Sequence, residues 1–159
     1  MSVTPDRTVR ERLDQSIFDL PVEKMRDGYY SDAYFNHARS ALLHDGRRPR
    51  VVSQVFQRKH SMLGGMDEAI AILKLASHDW DALTVHALHD GDEVEPWETV
   101  MTVEGDYTLF GHLETVYLGV LARRTLISTN VTQVLEAAAG KPIIFMPARH
   151  DHHLSLIHI

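Results

Sequence analysis

The 159-residue sequence contains no cysteine and has fewer basic than acidic side chains. Without cysteine there is no disulfide framework, no thiolate zinc site and no cysteine nucleophile. The 16 lysines and arginines against 22 aspartates and glutamates give a net charge of −6. This balance argues against a nucleic-acid binder and against a protein of anionic membrane surfaces, because both need a basic footprint.

Long hydrophobic runs are also missing. The longest, such as residues 116–122, are too short to cross a bilayer. Residues 1–7 are polar and contain no apolar core of a secretory signal, so we expect a cytoplasmic protein. The chain also lacks a Walker loop, a GxGxxG and a GxSxG, which leaves the common nucleotide-binding and hydrolase motifs without support.

The last six residues, 154–159, read Leu-Ser-Leu-Ile-His-Ile. This stretch resembles one reading frame of a transposase adapter that is used to prepare sequencing libraries. Such a segment is set aside before the fold is considered. The alternative is an edge strand, since its apolar residues alternate weakly. We expect residues 154–159 to be an adapter-derived tail and the chain to be the front part of a longer protein.

The spacing of apolar residues predicts an α+β domain. Helical periodicity, with glycine and proline at the ends, predicts helices over residues 4–20, 31–43, 66–76, 106–121 and 126–139. Ser31 is the expected cap of the second of these helices. Alternating or β-branched runs predict strands over residues 51–58, 83–88, 97–104 and 142–146.

The turn at residues 90–92 lies between two predicted strands and resembles the hairpin of biotinyl or lipoyl carrier domains. A carrier needs a lysine at its hairpin tip to bear the prosthetic group. There is no lysine between Asp79 and Arg123. The segment is therefore interpreted as structural.

Glu114 is the first candidate for a chemical or structural role. On a helix it shares a face with apolar neighbours such as Phe110 and Tyr117. Burying a carboxylate is costly unless it is paired, and the nearest candidate partners in sequence are Arg123 and Arg124. The two interpretations are a structural ion pair and a functional carboxylate.

Arg149 and His150 follow the predicted strand that ends near residue 146. Ligand-binding groups often lie just past the carboxyl ends of strands in barrels and parallel sheets. A guanidinium at such a place grips a carboxylate or phosphate through two hydrogen bonds; the alternative is a solvated loop arginine. Residues 150–153 contain three histidines and one aspartate, but no further ligand is spaced for a closed site, so no metal site is predicted.

Several of these segments together resemble the nicotinate phosphoribosyltransferases, which are type II phosphoribosyltransferases. Residues 30–35, with Asp32 and Tyr34, resemble the Thr-Asp-x-Tyr segment near the start of these enzymes. Three further stretches resemble the helices that precede and enter their barrel: residues 103–105, 112–121 and 128–142. Residues 145–150 resemble the first barrel strand and its arginine-bearing end.

The resemblance implies an N-terminal α/β sandwich domain over residues 1–140 and the start of a truncated α/β barrel over residues 141–153. It also implies a homodimer whose active sites are completed across the interface. Tyr34, with Asp32 beside it, would stack on the pyridine ring in the partner's site. The remaining implied substrate-binding residues are Arg149 and His150, for the carboxylate or phosphates, and Phe145, which would face Tyr34.

The implied reaction forms nicotinate mononucleotide from nicotinate and phosphoribosyl pyrophosphate in NAD salvage, with Mg²⁺ and ATP. The catalytic residues would lie beyond the chain, so we expect the 159 residues alone to be inactive. Quinolinate enzymes place an arginine directly after the helix glutamate, where this sequence has Thr115. Because quinolinate carries one more carboxylate, the missing cation favours nicotinate. The alternatives are a quinolinate or nicotinamide phosphoribosyltransferase and a non-catalytic dimerisation module.

Overall fold

The structure, a computed structural model, describes residues 10–144. Its helices are α1 (Val22–Arg26), α2 (Ala33–His44), α3 (Met66–Ala76), α4 (Tyr107–Phe110) and α5 (Glu114–Ala138). Its strands are β1 (Arg50–Phe56), β2 (Ser61–Met62), β3 (Thr84–Ala87), β4 (Glu93–Val94) and β5 (Thr99–Asp106). The predicted mixture of helices and strands is confirmed.

The main sheet has three antiparallel strands in the order β1-β5-β3. The central strand β5 buries Val100, Met101 and Val103, while β1 alternates between exposed and half-buried residues, as expected for an outer strand with one solvated face. The pair β2–β4 forms a second, two-stranded sheet. The short strands β2 and β4 escaped prediction because two residues carry no periodicity.

Helix α3 supplies the largest share of the core and has the bounds that its sequence predicts. Its first turn is capped from outside, since the backbone N–H of Met66 donates to Asp90 Oδ1 at 2.7 Å. Gly65 precedes it with φ of +88°, a region that favours glycine. A Cβ at Gly65 would lie 3.0 Å from the Cβ of Arg124. Six residues of α3 are buried: Met66, Ala69, Ala71, Ile72, Leu73 and Ala76.

Two helices were predicted, over residues 106–121 and 126–139, with a break between them. The position of this break is wrong. The structure has the four-residue α4, a 3-10 turn at Gly111–Leu113, and then α5 as one helix of 25 residues. Thr125 lies in the stretch that the prediction left outside both helices. It is 3 % exposed, and its hydroxyl bonds to the backbone of Gly64, so a polar residue here packs inward instead of ending the helix.

The helix predicted over residues 4–20 is absent from the part that the structure describes. Residues 10–20 contain a 3-10 turn at Gln15–Ile17 and no α-helix. The Arg12 guanidinium binds Asp67 at 2.9 Å and the carbonyls of Ala87 and Leu88 at 2.8 Å. These side-chain bonds hold the segment against the domain in a non-helical form, a tertiary effect that local periodicity does not report.

The chain divides into two compact units, the first ending at Thr129 and the second beginning at Asn130. In the second unit, residues 142–144 form no strand, so this part of the predicted strand is wrong, whereas its remainder, residues 145 and 146, lies outside the described residues. The predicted domain limits at residues 140 and 153 stay predictions.

The close contact at Gly65 gives a test of the packing between α3 and α5. We expect Gly65→Ala to lower the free energy of unfolding by roughly 2–4 kcal/mol, because it combines backbone strain with overpacking. Gly91→Ala is the matched control, since Gly91 also has a positive φ, of +83°, but nothing within 4 Å of its Cβ position. Equal losses in the two variants, measured by urea unfolding, would contradict the contact.

Candidate functional site

Two hydrogen bonds join the start of α2 to the start of α5. The backbone N–H of Asp32 donates to Thr115 Oγ1 at 3.1 Å, and the Thr115 hydroxyl donates to Asp32 Oδ2 at 3.2 Å. A third bond runs from the Ser31 hydroxyl to the carbonyl of His112. Ser31 was expected to cap α2, which is wrong, because Asp32 is the capping position and Ser31 bonds across to the 3-10 turn. We call the pair Asp32 and Thr115 the clasp.

Tyr34 lies in the first turn of α2, two residues after Asp32, and its side chain is 62 % exposed. Its ring lies 4.1 Å from the ring of Phe35, centroid to centroid, at 38°. Phe35 is buried and so anchors this first turn of α2 to the domain. Partial desolvation, and then the negative charges of Asp32 and Glu114, raise the pKa of the Tyr34 hydroxyl. The structure therefore presents a neutral aromatic ring at the surface, in an acidic setting.

Glu114 begins α5 directly before the clasp threonine and is half-buried. Burial raises the pKa of its carboxyl group. The predicted pairing with Arg124 is wrong, because Arg124 forms its ion pair with Glu68. No positively charged side chain within residues 10–144 forms a salt bridge with Glu114. The structural role suggested for Arg123 stays a prediction.

His112 lies in the 3-10 turn at Gly111–Leu113, whose His112 carbonyl accepts the bond from Ser31. It was not among the site residues predicted from the sequence. It is 1 % exposed, and neither of its ring nitrogens makes a well-formed hydrogen bond to a described residue. Its ring lies 5.1 Å from that of His78. Burial, then the nearby charges of His78 and Arg39, lower the pKa of His112 to about 4, opposed only in part by the Arg26 carbonyl. The available signal was a histidine within the apolar run of residues 109–113, which suits a core position as well.

The structure thus brings together four of the residues singled out from the sequence: Asp32, Tyr34, Glu114 and Thr115. The other predicted substrate-binding residues lie outside the described residues: Phe145, Arg149 and His150. Within residues 10–144 there is no group of three or more metal-ligating side chains that could hold an ion. No helix in this part of the chain is long and apolar enough to span a membrane.

The corner formed by Asp32, Tyr34, Glu114 and Thr115 can orient an aromatic ligand on the Tyr34 ring. Among the described residues, no cation is bound to this corner that could hold an anion.

A family model described as "Quinolinate phosphoribosyl transferase, N-terminal domain" matches residues 32–125. The match begins at the clasp aspartate and includes both Glu114 and Thr115. The chain belongs to this family. A search of curated proteins found no match.

Three solved structures resemble this quinolinate phosphoribosyl transferase N-terminal domain. Nicotinate-nucleotide pyrophosphorylase from Pyrococcus furiosus is 27% identical, with a TM-score of 0.74 over 86% of this chain and 36% of that chain. Human nicotinic acid phosphoribosyltransferase is 20% identical, with a TM-score of 0.60 over 72% and 29%. NadC from Streptococcus pyogenes is 18% identical, with a TM-score of 0.65 over 83% and 45%. The chain therefore spans less than half the length of each of these proteins.

The resemblance to type II phosphoribosyltransferases is confirmed by the family match and by the Pyrococcus furiosus structure. The family model is named for the quinolinate enzymes, whereas Thr115 after the helix glutamate favours the nicotinate enzymes. The two proteins below 25% identity support the fold of the quinolinate phosphoribosyl transferase N-terminal domain. They do not decide between the two acids.

Removing the Thr115 hydroxyl tests the clasp. We expect Thr115→Val to lower the free energy of unfolding by about 1–2 kcal/mol, because both clasp bonds are lost. Amide hydrogen exchange at Asp32 should become faster. Thr84→Val is the control, since Thr84 is exposed on β3. Unchanged exchange at Asp32 in Thr115→Val would show that the clasp does not form.

His112 predicts an acid-sensitive fold. Its pKa is lower in the folded chain than the ordinary value of 6.5, so the unfolded chain binds more protons as the pH falls. Stability should therefore decline between pH 6.5 and 4, by roughly 1–3 kcal/mol in total.

His112→Leu should remove this decline, whereas His86→Leu, at an exposed histidine of β3, should keep it. Urea midpoints measured across the pH range check the difference. A decline of the same size in His112→Leu would rule out His112 as its source.

Proposed function

We propose that this chain is the N-terminal domain of an enzyme that transfers a phosphoribosyl group to the ring nitrogen of a pyridine carboxylate in NAD biosynthesis. We further propose that the pyridine substrate is nicotinate and the donor is phosphoribosyl pyrophosphate. The family of the domain supports the reaction class. The chemistry of the corner around Tyr34 and Thr115 supports the choice of acid.

In the proposed reaction the lone pair of the pyridine nitrogen forms a bond to C1 of the ribosyl group. The bond between C1 and the pyrophosphate oxygen breaks, and pyrophosphate leaves with the electron pair. Such a displacement depends on holding the ring in line with the breaking bond. Tyr34 suits this task, because its exposed ring stands on the anchored first turn of α2.

The environment of Thr115 carries the preference for nicotinate. Its hydroxyl is already engaged as donor and acceptor with Asp32, so it has little capacity to bind another anion. Asp32 itself brings a negative charge. A buried carboxylate without a cation is strongly disfavoured, and a substrate with two carboxylates would bring one more to be neutralised than nicotinate does.

We propose a homodimer in which Tyr34 serves the partner's site. A tyrosine that is 62 % exposed on a helix anchored by a buried phenylalanine is suited to contact a ligand or a neighbouring subunit. Arg149 and His150 remain the proposed anion-binding groups and Phe145 the proposed aromatic facing Tyr34. Mg²⁺ and ATP remain proposed cofactors.

Quinolinate is the second candidate substrate, favoured by the description of the family model. An enzyme for this dianion needs one more cation near the ring than a nicotinate enzyme needs. In this chain the cation would have to come from outside the described residues. A nicotinamide enzyme and a non-catalytic dimerisation module are the remaining alternatives.

The experiment uses the intact enzyme, in which this chain is joined to its barrel, and measures pyrophosphate release with each acid. We expect a higher kcat/KM with nicotinate than with quinolinate. Tyr34→Ala should lower kcat/KM for nicotinate about 10- to 100-fold without loss of fold, because the stacking ring is lost. Tyr29→Ala, at another exposed tyrosine, is the control and should change it less than threefold.

Faster turnover of quinolinate would contradict the choice of acid. An intact protein that turns over neither acid, but associates more weakly after Tyr34→Ala, would instead support a dimerisation module. We expect the 159-residue chain alone to release no pyrophosphate.

A further inference from the structure

The first turn of α2, which carries Tyr34, begins without the usual side-chain cap. Asp32 occupies the capping position, but its side chain makes no capping hydrogen bond to the turn. Its carboxylate accepts from the Thr115 hydroxyl instead. A helix start without a cap leaves its first N–H groups unpaired and is less stable than a capped one. Contacts to other elements therefore have to hold this turn in place.

The segment directly before α2 has three such ties. The Asn36 side chain donates to the Gly28 carbonyl at 2.9 Å, which connects the segment back to α2 itself. The Ser31 hydroxyl donates to the carbonyl of His112. The third tie is the clasp. The Ser31 bond and the clasp thus connect the start of α2 to distant parts of the chain, where a cap would have connected it only to itself.

Ser31 bonds to a well-fixed part of the domain. All three residues of the 3-10 turn at Gly111–Leu113 are buried, and the turn contacts α1, α2, α3 and α4. The Ser31 N–H is turned back to the Gly28 carbonyl, at 3.1 Å, so the hydroxyl is the group that Ser31 extends to the 3-10 turn. A bond to a buried turn among four helices fixes a position more firmly than a bond to a surface loop does.

Tyr34 depends on this backbone for its direction. Its side chain is 62 % exposed and packs on the ring of Phe35, so little protein surrounds the Tyr34 ring to orient it. Tyr34 lies three residues after Ser31, in the turn that the ties hold. In a displacement reaction a misplacement of about 1 Å can cost about 100-fold in rate, and a ring-stacking residue therefore needs a fixed base.

We propose that Ser31 is a positioning residue whose bond to the His112 carbonyl sets the direction in which Tyr34 is presented to the pyridine ring. This inference rests on the proposed function. In this role Ser31 acts through Tyr34 and contacts neither the substrate nor the reacting atoms. The use of a hydroxyl at the helix start for a bond to a distant turn, rather than for a cap, favours positioning over local helix stability.

The first test is a double-mutant cycle in the intact enzyme. We expect Ser31→Ala to lower kcat/KM for nicotinate about tenfold, because alanine cannot donate to the His112 carbonyl and the Tyr34 ring loses its alignment. In the Tyr34→Ala background the same change should lower kcat/KM less than about twofold, since the ring that Ser31 directs is gone. A general loss of stability would act equally in both backgrounds.

Two variants control the cycle. Ser31→Thr keeps the hydroxyl and should restore kcat/KM to within about twofold of the original. Ser53→Ala removes a hydroxyl from another half-buried serine, on β1, and should leave kcat/KM within about twofold in both backgrounds.

The second test needs no substrate. The Phe35 N–H donates to the Asp32 carbonyl at 3.0 Å and closes the first turn of α2. We expect amide hydrogen exchange at Phe35 to become faster in Ser31→Ala, because the turn opens more often when it loses a tie. The exchange should be unchanged in Ser31→Thr and in Ser53→Ala.

Equal losses of kcat/KM in the two backgrounds, or no loss in Ser31→Ala, would overturn the inference. Faster turnover of nicotinate than of quinolinate would still support the proposed function in that case. If the unchanged enzyme turns over neither acid, the proposed function fails, and exchange at Phe35 decides whether Ser31 holds the turn that carries Tyr34. Faster exchange in Ser31→Ala would support that role, and equal exchange would overturn it.

Discussion

The corner that carries the candidate site depends on the reciprocal hydrogen bonds between Asp32 and Thr115. These residues are 83 positions apart in the chain, yet each lies at the start of a helix of the domain. One hydroxyl both accepts from the Asp32 backbone and donates to its carboxylate, so the two helix starts have a fixed register. Tyr34 and Glu114 flank the clasp along the chain. Their proximity is therefore a consequence of this contact, and the proposed ring-binding surface depends on it.

The electrostatics of the corner follow from what surrounds the clasp. Most shielded carboxylates of the domain are neutralised by arginines that also fasten distant segments, as Arg12 does for Asp67 and Arg124 for Glu68. At the clasp, no described cation has this role. A positively charged residue at position 115 would give a different surface, suited to an additional carboxylate. A threonine that bonds to Asp32 leaves the surface aromatic and negative, which supports the proposed preference for a substrate with one carboxylate.

Local periodicity predicted an element correctly where residues at the ends of that element determine its limits. Helix α3 follows two glycines and was predicted with the correct limits, and the central strand was placed within two residues at each end. Prediction failed where a distant side chain decides the backbone. Arg12 holds a segment that was expected to be α-helical in another conformation, and buried Thr125 continues a helix through a polar stretch. Tertiary contacts also explain which parts of the site could be predicted. Tyr34 and Glu114 were recognised from the sequence. The clasp, the ion pair of Arg124 and the burial of His112 depend on contacts between distant residues and were not.

A crystal structure of the intact enzyme with nicotinate is the most direct test of the central claim, which is that Tyr34 and the clasp form one side of a pyridine site. The account predicts the pyridine ring stacked on Tyr34 of the partner subunit, with the clasp bonds intact. A ring bound at a site without Tyr34, or Tyr34 packed into the interior of its own subunit, would contradict it.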